Sequence, residues 1–126
     1  MEKLIINRGT WVCGNHFKGK SQLLNSAGQR CCLGFLGKHI GLDDKFAKLT
    51  SFPSYVKNHT QWPERLFEYA NQAEKAYGPS VWKRFEGVFA QINDSEIVPD
   101  DVREDWIKEG FKTILGFDVE FTGEYP

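Results

Sequence analysis

The sequence predicts an α+β domain, with helices packed on one face of a small, mostly antiparallel sheet. Three features lead to that class. Apolar residues recur at helical spacing after Cys32 and again between Pro99 and Leu115, apolar and polar residues alternate from Phe117 to Thr122, and a turn signal separates two short segments between Ser21 and Cys31. The 126 residues contain no internal repeat and no Gly-, Ser- or Pro-rich divider, so one domain over 1–126 is expected. That length supports a core without disulfide or metal.

In chain order, Ser21 to Cys31 is expected to fold as a hairpin. Leu23 and Leu24 lie in one strand, Asn25-Ser26-Ala27-Gly28 make the turn, and Gln29-Arg30-Cys31 begin the return strand. From Cys32 a helix follows, with Leu33, Leu36 and Ile40 on one face and Gly41 as its stop. Gly34 and Gly37 weaken that helix by about 1 kcal/mol each relative to Ala, which points to a neighbour packed very close. Residues 42–62 have the least regular pattern. Thr60 is placed to cap a helix over 63–77, with Pro63 in its first turn and Gly78-Pro79 ending it. Residues 80–94 are ambiguous, because Val81, Trp82 and Phe85 fit a helical turn whereas Val88, Ala90 and Ile92 alternate. The clearest helix spans 99–115. Asp100, Asp101, Glu104 and Asp105 suit its positive N-terminal end, Val102, Trp106, Ile107, Phe111, Ile114 and Leu115 form one face, and Gly116 closes it. Phe117, Val119 and Phe121 then make a half-exposed strand.

No apolar run is long enough to cross a bilayer, and the N-terminus MEKLIINRG lacks the features of a secretory signal. The expected setting is a reducing cytoplasm, in which Cys13, Cys31 and Cys32 stay free thiols. Net charge is −1 but unevenly placed: residues 1–85 carry 13 Lys/Arg against 6 Asp/Glu, and residues 86–126 carry 3 against 11. Either the halves neighbour each other in the fold, or a basic face meets an anionic ligand and the acidic segment meets a separate partner. A homo-oligomer joined through the two segments also fits this arithmetic.

The adjacent cysteines raise the question of chemistry. A thiol at a helix N-terminus can have a lowered pKa, and RCCLGFL is loosely similar to the nucleophile segment of papain-like peptidoglycan and amidase enzymes. A cysteine-dependent hydrolase or transferase would use Cys31 or Cys32 with His39 or His59. Against it, His39 is about two turns along the same helix, and buried free cysteine commonly serves packing. A structural zinc module would use the Cys13-x-x-His16 pair, completed by Cys32 and His39 or by Cys31, although a second ligand pair at metal spacing is missing. Four tryptophans and a basic first half could stack nucleic-acid bases, but no recognition signature accompanies them, and nucleic acid is disfavoured as a partner. Gly14 to Ser21 satisfies the bare G-x-x-x-x-G-K-S pattern, yet no buried strand precedes it and a turn, rather than a long helix, follows. Such a loop can still hold an anion less formally.

Trp11, the segment GKSQLLNSAGQRCCLGFLGKHIG, and Ile92-Asn93-Asp94-Ser95 before an acidic amphipathic helix carry a resemblance. The chain resembles a widespread group of small, uncharacterised bacteriophage proteins that share a tryptophan, a CCLG segment and a late Asn-Asp before a final helix. The match covers about half of the chain and leaves residues 42–86 outside it. No activity comes with the resemblance. It implies a phage accessory protein in the host cytoplasm, acting in counter-defence or host takeover by binding a host defence protein or a nucleotide-type small molecule, without a cofactor or a membrane. In that setting Lys18, Lys20 and Arg30 would supply positive charge to an anionic ligand, and Asn93 and Asp94 would either cap a turn or line the pocket.

Overall fold

The computed structural model describes residues 1–70 and 84–126, and in it the two strands come from opposite ends of the chain. Strand β1 (Glu2–Asn7) pairs with β2 (Phe117–Thr122) in parallel, with Glu2 opposite Phe117 and Asn7 opposite Thr122. Mixed helix and strand is as expected, but the mostly antiparallel sheet is corrected: among the described residues the sheet has two strands and is parallel. Parallel strands need a crossover, and here nearly the whole chain provides it, which no local turn signal announces. The pattern of β1 also hides its strand character. Leu4 and Ile6 are buried at 1% and 0% exposure, whereas the intervening Ile5, on the outward face, is 52% exposed.

Between the strands lie α1 (Cys32–His39), α2 (Asp44–Ala47), 3-10 turns over Pro53–His59 and Glu64–Phe67, α3 (Phe85–Asp94) and α4 (Asp100–Gly110). Helix α1 packs on β1 and α4 on β2, over the buried side chains Leu4, Ile6 and Val119. The end of α1 follows its sequence: Ile40 N–H returns to Leu36, and Gly41 takes a φ of +93° that other residues rarely adopt. Its glycines answer the packing expectation. A Cβ on Gly34 would lie 2.1 Å from the Leu23 carbonyl oxygen, and one on Gly37 would lie 2.8 Å from the Trp62 ring. Helix α4 continues through a widened π turn at Phe111–Leu115 and stops at Gly116, as the 99–115 pattern predicts. Over 85–94 the helix wins, because Phe89 and Asn93 are buried on one face and the alternating Val88, Ala90 and Ile92 form its half-buried flank.

Two local expectations are corrected. The segment 21–31 does not pair with itself as a hairpin. Leu23 and Leu24 N–H groups donate to Thr50 and Ala47, while Arg30 pairs with Trp11 in parallel. The turn at its tip is real, closed by Asn25, whose Oδ1 accepts from the N–H groups of Ala27 and Gln29. Both leucines are buried, so neither limb has the solvent face of a free-standing hairpin. Of the helix expected over 63–77, the described part, 63–70, holds the short turn Glu64–Phe67 and then leaves the helix. Glu68 is extended, Tyr69 pairs with Arg84, and Thr60 donates its hydroxyl to Ile40 instead of capping. The expected positions 71–77 lie outside the described residues, as does the Gly78-Pro79 stop.

Candidate functional site

Trp11, the Cys31-Cys32 segment and Asn93-Asp94 meet at one buried side chain. Asn93, fully buried at the end of α3, uses all four hydrogen-bonding positions of its amide. Its Oδ1 accepts from Trp11 Nε1 at 2.7 Å and from the Cys32 N–H at 2.9 Å. Its Nδ2 donates to the Val12 carbonyl at 2.7 Å and to Asp94 Oδ1 at 3.0 Å. The Asn93 carbonyl also accepts from Gly14 N–H at 2.9 Å. The first turn of a helix leaves N–H groups without partners, and Cys31, at the cap position of α1, makes no side-chain cap bond. Asn93 supplies that cap from 61 residues away. Tryptophan, CCLG and Asn-Asp are thus parts of one structural knot, and Trp11 completes it by packing on the Phe121 and Tyr125 rings.

The thiols sit against this knot. Cys13, Cys31 and Cys32 are free and buried. Desolvation pushes Cys13 and Cys31 up to about 12 and Cys32 well above its ordinary value. Burial therefore outweighs the helix N-terminus and disfavours the thiolate at all three. The histidines lie elsewhere. His39, at the far end of α1, contacts Glu2 and meets the Phe117 ring edge-on, while His59 stacks on Phe46. Neither is brought to Cys31 or Cys32. His16 follows Cys13 in a tight turn but is held by Asp100, 3.0 Å from Nε2, and by a stack on Tyr125. The set Cys13, His16, Cys32 and His39 is not assembled, and among the described residues no group of three or more His, Cys, Asp or Glu is placed to hold a metal ion.

The charged residues divide into two groups. Arg30 is turned toward Asp44, donating to Oδ1 at 2.9 Å, and the Asp44 carboxylate is held below its usual range chiefly by that bond. It is not available to the Lys18 loop as a free cation. Lys18 and Lys20 are exposed, and neither has an ion-pair partner among the described residues. Their loop is fastened from beneath by two amide side chains that are each 2% exposed. Gln29 Oε1 accepts from Lys18 N–H at 2.9 Å, and Asn25 Nδ2 donates to the Lys20 carbonyl at 3.1 Å. Asp94 reaches the same loop, accepting from Ser21 Oγ at 2.5 Å. Of the five residues expected to line a ligand site, Lys18, Lys20 and Asp94 therefore share a neighbourhood, Asn93 stands behind it, and Arg30 points away. Asn25 and Gln29 carry neither charge nor motif that marks them in the sequence as site residues. The signal lies instead in the Asn25 turn, which places Gln29 back under the loop.

A second polar cluster ties α4 to both chain ends. Arg8 makes a two-pronged contact with Glu104 at 2.8 and 2.6 Å, Tyr125 donates to Glu104 at 2.7 Å, and the buried Arg103 donates to Asp100 and to the carbonyls of Ser95 and Val98. Burial opposes the charge on Glu104, but the Arg8 and Tyr125 donors prevail and hold its pKa below the ordinary value. Asp100 behaves in the same way, with burial overcome by His16 and Arg103. These ion pairs lock segments together.

Compared with protein-family models, with curated proteins and with solved structures, the chain matches none. Among the described residues, no helix is long and apolar enough to cross a membrane.

Proposed function

We propose that this chain is an accessory protein of a bacteriophage or prophage that works by binding, in the host cytoplasm, as an agent of counter-defence or host takeover. Its target is a host protein or a nucleotide-type small molecule. The observation that carries the reading is the division of labour around Asn93. The residues with the most chemical character, Cys31, Cys32 and Asn93, are buried and fully engaged in packing and capping, whereas the exposed Lys18 and Lys20 are held in place and unpaired. A preorganised, uncommitted cationic loop suits recognition, since less ordering is required when a ligand arrives. The resemblance to small phage proteins supplies the biological setting.

The test is native mass spectrometry of the protein purified from bacteria, compared with its denatured mass, together with affinity capture from host lysate. A retained nucleotide-sized mass, or one host protein captured in stoichiometric amount, supports the reading. A clean mass with no stoichiometric partner overturns it. A cysteine-dependent turnover that vanishes in a folded Cys31→Ser or Cys32→Ser variant would replace it with the hydrolase or transferase reading.

A further inference from the structure

We infer that the loop from Lys18 to Gln22 binds a phosphate group of a small molecule, with Gln29 as a buried member of the site. This rests on the binding reading above and goes beyond it by naming the site and the ligand chemistry. Three observations converge. The first is charge: Lys18 and Lys20 flank Gly19, are exposed, and have no ion-pair partner among the described residues. The second is the backbone. The N–H groups of Gly19, Lys20, Ser21 and Gln22 donate to no acceptor among the described residues, and such runs of free amides are the main-chain component of anion sites.

The third observation is independent of the loop surface. Gln29 is only 2% exposed, and its Oε1 is fixed by Lys18 N–H. That bond settles the orientation of the amide and leaves Nε2 on the other side. Nε2 is buried and has no hydrogen-bond partner. A buried donor without an acceptor is costly by about 1–3 kcal/mol, so its persistence under a cationic loop marks a place where an oxygen belongs. Nε2 is closed to solvent, so a small outward shift of the loop that admits a phosphate oxygen, or a water carried with it, provides the missing acceptor. The Asp94 carboxylate limits the site. It sits at Ser21, accepts the Ser21 hydroxyl, and opposes a dianion placed nearby. Affinity is accordingly modest, and removing that charge strengthens it.

The arrangement is not a nucleotidase P-loop. No helix opens at Ser21, because the chain goes into the Asn25 turn and α1 starts only at Cys32. Its role is recognition of phosphate, without catalytic machinery for its transfer.

The experiment is calorimetric titration of the full chain with inorganic phosphate, pyrophosphate, ATP and adenosine at low ionic strength. Pyrophosphate and ATP are expected to bind and adenosine not to bind. Equal affinities for the first two identify the phosphates as the whole epitope, and tighter ATP adds contacts to the nucleoside. The Lys18→Ala/Lys20→Ala double variant, altered only at exposed positions, should weaken pyrophosphate at least tenfold. Gln29→Glu keeps an acceptor for Lys18 N–H and replaces the free donor, so it should abolish binding; if it fails to fold, the lysine pair decides. Asp94→Asn should tighten binding two- to threefold. Absence of binding by every anion at millimolar concentration, or binding unchanged in the lysine variant, overturns the site. If host-protein capture persists in that case, the binding reading stands and only this site falls; if capture fails too, both fall.

Discussion

The Asn93 knot and the Lys18–Gln22 loop are neighbours joined through Asp94 and Ser21, yet they use polar groups in opposite ways. At Asn93 every donor and acceptor of the amide is matched, three times by a buried partner and once by the Asp94 carboxylate. At the loop, buried amides fasten the backbone from below while main-chain donors, two lysines and Gln29 Nε2 remain unmatched. Saturated polar groups specify a fold; unsaturated ones held in fixed positions are what a ligand can use. The contrast shows that chemically conspicuous residues can be committed wholly to the fold.

The comparison breaks most sharply at Asn93. Asn93→Ala strands the Trp11 indole N–H, the Cys32 N–H and the Val12 carbonyl, and at about 1–3 kcal/mol per stranded group the expected loss is about 3 kcal/mol or more. Chemical denaturation should show it as a large drop in midpoint, and an unchanged midpoint would remove the knot from the account. Next in size is Gly34→Ala, whose methyl would run into the Leu23 carbonyl; overpacking predicts about 2 kcal/mol of destabilisation, against a small gain had the site been open helix surface.

Acid supplies a third lever. Glu104 and Asp100 have folded-state pKa values below the ordinary carboxylate value, so their contribution is complete above about pH 4 and is lost as pH falls through the folded values. Denaturation midpoints should hold level from pH 7 to 5 and decline below about 4, with a shallower decline in Glu104→Gln. The thiols sharpen the comparison further. Native protein should react with a thiol reagent far more slowly than denatured protein, and fast labelling of Cys31 or Cys32 under native conditions would return them to the list of reactive groups. The smallest effect belongs to Arg30→Lys, which retains charge near Asp44 and leaves the proposed anion site untouched; pyrophosphate affinity should change less than twofold.

Helix ends, glycine contacts and the final strand were legible because their causes are local. Gly41 and Gly116 stop helices through backbone conformations read directly from residue type, and the close approaches at Gly34 and Gly37 follow from the absence of a side chain. The segment 21–31 imitates a hairpin in sequence because its turn is local but its partners are not: Leu23 and Leu24 seek Thr50 and Ala47, and Arg30 seeks Trp11. Strand β1 escaped notice for the same reason, as its mate lies at the other end of the chain and exposed Ile5 blurs the period-two pattern. At the candidate site, the lysines announced themselves by charge. Gln29 did not, since its importance depends on which side of a turn its amide reaches.

The pairing of Glu2 with Phe117 has a consequence for biosynthesis. A ribosome delivers β1 first, and that strand must wait for almost the entire remaining chain before its partner emerges. Until then Leu4 and Ile6 have no β-partner, and the Trp11 ring lacks Phe121 and Tyr125. Nascent chains arrested before residue 117 should therefore remain protease-sensitive, and resistance should appear once residues 117–125 lie outside the exit tunnel.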